Sequence, residues 1–384
     1  MKIGVLGIGI TKFGERWDQG LRDLLLDAQL RALNDSKIDS KQIDAIYTGN
    51  MIGGIASGQL QIGSMATENL NLHIPSIRVE GACASGSIAL REGINAIESG
   101  QAEIVMVNGV EKMTDVSTEQ ITTALMGAGD EEIEGFAGLT FPGLYALLAK
   151  AYIHEYDLSR ETLAEVSVKN HFHGARNSYA QFQSEITIDT VINSTMVANP
   201  LTLFDCSPIT DGAASIIIAN EKIAKKMNSE VYITASALAT DTLSLAKRES
   251  LLELKAGRIA AENAYKQAGI TSKEVNFAEV HDCFSIAEIY AVEALGLAKR
   301  GEAGKLYDSK QTYFDGDKPI NTSGGLKACG HPVAATGIKQ AVEAVTQLRG
   351  EGGKRQVPNA LTGVTYNVGG SGATACVHVF KKMK

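Results

Sequence analysis

"IDSKQIDAIYTG" at residues 38–49 and "ITSKEVNFAEVHD" at residues 270–282 state one theme twice, and their likeness decides how the chain divides. Ile38, Ser40 and Lys41 match Ile270, Ser272 and Lys273, and each stretch follows an amphipathic helical pattern. A second echo sets the helical stretch from Gly86 to Gly100 beside the one from Gly337 to Gly350. Each is opened by a small-residue turn and followed by an apolar strand. The repetition predicts two similar α/β halves, over 1–116 plus 201–225 and over 226–384. Residues 117–200 have no counterpart in the second half and read as an inserted lobe over the active face. They hold the Gly- and acid-rich "MGAGDEEIEGFAG" (126–138), then helical sequence rich in His, Asn, Tyr and Gln.

Strand-like and helix-like patterns alternate from end to end, the mark of an α/β protein. Strands are predicted at 2–9, 103–109, 214–220, 231–239, 277–282 and 361–368. Helices are predicted at 20–35, 84–99, 143–155, 160–179, 256–268, 284–295 and 335–349.

Bulk properties narrow the function classes. The 384 residues are 44% hydrophobic and 21% charged, an ordinary globular composition. A net charge of −8 gives no electrostatic footprint for nucleic acid. No apolar run approaches the ~20 residues that span a bilayer, and the Gly-broken N-terminus lacks a leader-peptide cleavage pattern. Five cysteines (83, 206, 283, 329 and 376) are too few and too odd in number for a disulfide framework, so reduced thiols in a cytoplasmic protein are expected.

Three segments carry chemistry. Cys83 stands at the start of a helix among Ala82, Ala84, Ser85 and Gly86, small residues that let a substrate reach the sulfur. A helix N-terminus favours the thiolate, but a packed, inert cysteine reads equally well. His331, between Gly330 and Pro332, sits in a turn poorly suited to core packing and suits a general base. "HDCF" at 281–284 joins His281 and Cys283. Together with Cys329 and His331 they spell a Cys2His2 set, but the spacing is not that of structural zinc sites, and no metal is expected. "GVLGIGITKFG" at 4–14 is not a dinucleotide fingerprint, because Lys12 occupies its last position, and no Walker pattern occurs. "NVGGSGATA" at 367–375 is either a tight turn or a backbone site facing a reacting carbonyl.

Taken in order, "CASG" (83–86), "CSPITDGAA" (206–214), "HDCF" (281–284), "NTSGGLKACGHPVAATG" (321–337) and "GEGGKRQVP" (350–358) resemble the thiolase family across essentially the whole chain. "HDCF" stands where bacterial thiolases carry Asn-Glu-Ala-Phe, which places the resemblance in the branch of archaeal and sterol-carrier-protein-type thiolases. Two departures stand out. The Cys-x-Gly that bears a second catalytic cysteine reads Asn367-Val368-Gly369, and the Gly after "GHPV" is Ala334. Cys376 lies nine residues beyond Asn367 and should not inherit the missing role.

The resemblance implies a five-layered α-β-α-β-α thiolase fold with two βαβαβαββ halves, and an acetyl-CoA C-acetyltransferase. Cys83 would be acylated, His331 would take its proton, and Cys283 would exchange the α-proton of the second acyl-CoA. His281 and His331 would hold the enolate oxygen, and the amides of Cys83 and Gly369 the acyl oxyanion. Coenzyme A thioesters are substrates and no cofactor is implied. A homodimer or tetramer is expected, as is a complex with hydroxymethylglutaryl-CoA synthase and a zinc-bearing OB-fold protein that would serve isoprenoid synthesis by the mevalonate route. Other readings remain: a degradative 3-ketoacyl-CoA thiolase, a ketoacyl or hydroxymethylglutaryl synthase, and a non-catalytic acyl-CoA-binding scaffold subunit.

Overall fold

A computed structural model of the chain describes residues 1–383. Its first half opens with β1 (Ile3–Ile10), α1 (Leu21–Ser36), β2 (Ala45–Gly49), the short α2 (Gly53–Ala56), α3 (Ile62–Glu68) and β3 (Ser76–Val79). α4 (Ser85–Glu98) and β4 (Ile104–Glu111) follow. The chain then leaves the sheet through α5 (Thr118–Met126), α6 (Phe141–Tyr156), α7 (Arg160–Gly174) and α8 (Ile188–Ile192). A small hairpin of β5 (Met196–Ala198) and β6 (Leu201–Thr202) precedes the return at β7 (Gly212–Ala219).

After α9 (Glu221–Lys226) the second half begins with β8 (Val231–Thr240), α10 (Lys255–Ala268) and β9 (Phe277–Val280). α11 (Ser285–Ala294), α12 (Gly304–Asp308), α13 (Gly325–Cys329) and α14 (Thr336–Arg349) lead to β10 (Thr362–Gly369) and β11 (Thr374–Lys382).

The sheet order β3-β2-β4-β7-β1-β8-β11-β10-β9 makes the duplication visible. Read outward from the β1/β8 seam, each half repeats one pattern: an antiparallel neighbour, a second antiparallel step, then a parallel strand. β3 ends the first half, and a parallel bridge from Ala278 to Ile320 takes its place in the second. The seam itself is two residue pairs, Ile3 with Ile233 and Gly4 with Tyr232. Central strands are buried on both faces, so they read as unbroken apolar runs such as "IVMV" and "IIIA".

Strand alternation then builds the layers. Ile104 and Met106 face α1 and α3, whereas Val105 and Val107 face the opposite side, where α4 and α14 pack together. The far face of the second half, with Val364, Tyr366 and Val377, meets α10, α11 and the lobe helices α6 and α7. The lobe, though inserted in the first half, therefore rests on the second. Among the described residues no helix is long and apolar enough to cross a membrane.

Candidate active site

Cys83 is delivered by a strained turn between β3 and α4. Ala82 has φ 53°, a left-handed conformation uncommon without glycine and worth about 1–3 kcal/mol of strain. Two side chains hold it there: Glu80 Oε1 accepts the Ala82 N–H at 2.6 Å, and Ser85 Oγ accepts from Gly81 N at 3.0 Å while donating to Ala82 O at 2.5 Å. The thiol is buried, and burial pushes it up to about 12 against the pull of the Gly370 and Cys83 amides. At rest it is a thiol: burial outweighs the helix N-terminus that favours the thiolate.

His331 arrives from the loop between α13 and α14. Gly330 has φ 111°, and a Cβ there would meet Thr210 Cγ2 at 2.7 Å. Thr210 Oγ1 accepts the His331 N–H at 3.0 Å. The ring is set by Thr336, whose hydroxyl donates to Pro332 O at 3.3 Å and accepts from His331 Nδ1 at 2.7 Å. That assignment leaves Nε2 as a bare acceptor. Burial and the neighbouring His281 hold this imidazole well below its ordinary value, so it is neutral.

"HDCF" leaves the end of β9 with its side chains alternating. Asp282 turns away from the cavity: its carboxylate accepts from Leu326 N at 2.7 Å, Lys327 N at 3.2 Å and Asn170 Nδ2 at 2.8 Å. Burial and the nearby Glu288 push it up to about 6. Anchored so, it aims its neighbours the other way. His281 rests its Nδ1 on Asn367 Nδ2 at 3.0 Å, and its Nε2 makes no hydrogen bond within the protein. Desolvation lowers it to about 3. Burial pushes the Cys283 thiol upward; Cys83 adds to this, while Tyr145 and Lys327 oppose it.

These arms converge. The ligand atoms of Cys83, His281 and His331 lie within 4.8 Å of one another, and the two imidazole centroids are 5.1 Å apart. Cys83, Cys283, His331, Cys206 and Gly370 line one cavity of about 150 Å³, with Met113, Ile121, Leu125, Phe141 and Val333 as apolar walls. The amide facing the Cys83 sulfur belongs to Gly370, not Gly369, which lies one residue earlier in the ladder opposite Thr374.

The groups close enough to share an ion are Cys83 and the two histidines, not the Cys2His2 set. Cys329 is fully buried on the far side, lining a separate cleft with Lys339 and Arg355. Cys376 is also outside the cavity, its sulfur 3.7 Å from Ser87 O.

Sequence reasoning missed Glu111. This buried carboxylate accepts from Asn50 Nδ2 at 2.8 Å and from the amides of Met51, Ile52 and Ala334 at 3.0, 3.1 and 3.3 Å. It thereby ties the first half to the loop that carries His331. Burial pushes it up to about 7 against those donors. Its sole sequence signal is a lone acid at the end of an apolar strand.

A strand–strained turn–helix nucleophile facing two neutral histidines and a second thiol is the equipment of a covalent acyl-transfer enzyme. Comparison with known proteins gives the family. Residues 4–222 match the thiolase N-terminal domain and residues 237–382 the thiolase C-terminal domain-like family. The acetyl-CoA acetyltransferase of Methanothermobacter thermautotrophicus is 48% identical over 382 residues, 99% of both chains. That of Methanocaldococcus jannaschii is 45% identical, covering 98% of each. Human sterol carrier protein 2 is 34% identical over 97% of this chain and 70% of its own length. In fold, human mitochondrial 3-ketoacyl-CoA thiolase in complex with CoA matches with TM-score 0.77 at 18% identity, covering 100% of this chain and 98% of that one. The Ltp2-ChsH2(DUF35) aldolase matches with TM-score 0.85 at 21% identity, covering 99% and 98%.

The chain belongs to the thiolase family. It is an acyltransferase of that type, with the thiolase fold that the resemblance implied.

Proposed function

We propose that this chain is an acetyl-CoA C-acetyltransferase that condenses two molecules of acetyl-CoA into acetoacetyl-CoA. The observation that carries the reading is the convergence of Cys83, Cys283 and His331 on one small cavity, with a ring nitrogen of His281 within 4.8 Å of the Cys83 sulfur and of His331. A proton passes from Cys83 Sγ to His331 Nε2 as the sulfur attacks the thioester carbonyl, and CoA leaves with that proton. The acyl oxygen is held by the amides of Cys83 and Gly370, with Gly369 beside them. Cys283 exchanges the α-proton of the second acetyl-CoA, whose enolate oxygen accepts from His281 Nε2. The enolate carbon then attacks the acetyl group on Cys83, and the acyl carbon–sulfur bond breaks to release acetoacetyl-CoA. The departing Cys83 sulfur receives the proton that the Cys283 thiolate had taken from the second acetyl-CoA.

A cavity of about 150 Å³ is smaller than the ~300 Å³ at which drug-sized ligand pockets begin, which favours a short acyl group. Its apolar wall of Ile121, Leu125 and Phe141 supports a second reading, cleavage of somewhat longer 3-ketoacyl-CoA. The cytoplasm as compartment, a place in the mevalonate route, a homo-oligomer and the three-component complex are proposals that rest on the family resemblance.

Mass spectrometry after incubation with acetyl-CoA tests the nucleophile: one acetyl group on Cys83 is expected, and its absence defeats the enzyme reading in favour of a scaffold. Cys283→Ala should keep that adduct and lose about 10²–10⁴-fold in condensation. Unimpaired condensation would reassign the proton exchange.

A further inference from the structure

The two active-site histidines are neutral, so each carries one ring hydrogen, and each needs it on a different nitrogen. His331 must leave Nε2 bare to accept the thiol proton, and Thr336 arranges that. His281 must do the reverse, because a donor has to face the enolate oxygen. We infer that Asn367 is a positioning residue that fixes the tautomer of His281, keeping its hydrogen on Nε2. This rests on the reading of His281 as enolate donor.

The amide orientation decides the matter. With its NH2 toward His281, Asn367 donates to Nδ1 at 3.0 Å, and the ring hydrogen must then sit on Nε2, the atom that no protein group engages. With the amide reversed, Nδ1 would carry the hydrogen and Nε2 would offer a lone pair to an enolate.

The surroundings of the other end choose the first arrangement. Gly337 is the second residue of α14 and Ser87 the third of α4. A Cβ on Gly337 would lie 2.6 Å from Asn367 Oδ1 and 2.4 Å from both the amide nitrogen and Oγ of Ser87. The amide's outer atom is therefore lodged between the first turns of two 14-residue helices, whose aligned peptides place partial positive charge there. Oδ1 accepts no hydrogen bond from the protein there, and it is the positive field of the two helix ends that favours oxygen over an amino group at that point.

The pairing continues the strand register: Tyr366 stands opposite Val280 in the parallel β9–β10 ladder, and the next residue of each strand is Asn367 and His281. The asparagine that replaces the missing cysteine thus has a job of its own. It does not carry the proton; it prepares the donor.

The groups facing His281 are Asn367 from β10, Lys339 from α14, His331 and the Cys83 thiol. None is a carboxylate, so the ring stays neutral through the working range. Asn367→Asp changes that, because both carboxylate oxygens accept and Nδ1 must take the hydrogen.

At pH 8 we expect Asn367→Asp to lose about 10²-fold in condensation, the size of one lost oxyanion donor, while Cys83 acetylation stays near wild type. The new carboxylate also raises the pKa of His281, and the imidazolium carries hydrogens on both nitrogens. Condensation by this variant should therefore recover as pH falls from 8 to 6, a limb absent from the wild-type profile. In case the variant does not fold, ¹⁵N NMR of histidine-labelled wild-type enzyme reads the tautomer directly: Nε2 protonated and Nδ1 bare for His281.

A hydrogen on Nδ1 overturns the inference. So does wild-type condensation by Asn367→Asp without the pH limb, provided His281→Ala is inactive in condensation. Full condensation by His281→Ala overturns the donor reading beneath it, and the inference with it.

Discussion

Asn50 and His281 occupy equivalent places, each the first residue beyond the second strand of its half: Gly49 pairs with Gly109 just before one, Val280 with Tyr366 just before the other. Their fates differ. Asn50 is gathered with the amides of Met51 and Ile52 onto the Glu111 carboxylate, and every donor at that strand end is satisfied. His281 hydrogen-bonds only to a neutral amide and keeps one nitrogen without a partner, in a group with Cys83 and His331. One scaffold built twice can therefore make a rigid wall in one copy and a reactive one in the other. The difference lies in whether a buried acid collects the loop.

The comparison can be broken first with acid. Neutral buried histidines are confined to the lobe and the second half: His171, His173, His281, His331 and His378, while His73 of the first half is exposed. Burial lowers all five below the ordinary 6.5. Below pH 6.5 the unfolded chain binds protons at these positions that the folded chain refuses. The stability present above that pH is thus lost as pH falls, by up to about 1.4 kcal/mol per unit for each group. Tm should fall steeply below pH 6, and hydrogen exchange should open the lobe and second half before β4 and β7. Simultaneous opening would erase the asymmetry.

The clamp is the next target. Glu111→Ala strands several buried N–H donors and should lower unfolding free energy by about 3 kcal/mol in urea denaturation. It should also slow acylation, since Ala334 is released. A loss under about 1 kcal/mol would mean the loop holds itself.

In the second half, Thr336→Val removes the acceptor at His331 Nδ1. We expect Cys83 acetylation to slow about tenfold by rapid quench, with less effect on condensation from the pre-acetylated enzyme. Equal slowing of both steps would point to a displaced loop.

The smallest effect concerns the helix ends. α1 closes on Lys37 with φ 57° where α10 closes on Gly269 with φ 64°. Lys37→Gly should stabilise the protein by about 0.5–1 kcal/mol, and Gly269→Ala should do the opposite.

Much of this was legible in the residues. The shared "SK" stretches each precede a strand in the same topological place, β2 and β9, and of the echoed glycines the two that open the helices, Gly86 and Gly337, proved to be contact points. A Cβ on Gly86 would strike Ala334 O at 2.4 Å, as one on Gly337 would strike Ser87. All six proposed strands and all seven helices recur near their expected limits, because burial on one or two faces leaves a period in the sequence. β2, β3, β11 and the small β5–β6 hairpin were not anticipated as strands. β3 is a four-residue edge strand, and β11 places Cys376 and His378 on the face toward the central helices, which blurs its alternation.

Within the site, residue type and motif located Cys83, His331, His281 and Cys283. What could not be read were partners supplied from elsewhere in the fold: Glu111 for Ala334, Thr336 for the ring of His331, Asn367 for that of His281. That the Gly370 amide is the one facing the Cys83 sulfur follows from backbone direction at a turn, which composition does not encode.

The strand order has a temporal consequence. β1 ends at Ile10, but its long ladder partner β7 begins only at Gly212. At ~5–20 residues per second, synthesis separates the two by roughly 10–40 s. The first half cannot close on the ribosome until the whole lobe has emerged. During that interval β1 has no partner from its own half, and α6 and α7 lack the surface they are to rest on. A translation pause placed after β7 has cleared the ribosome would let the first sheet complete itself before β8 emerges to take the other edge of β1.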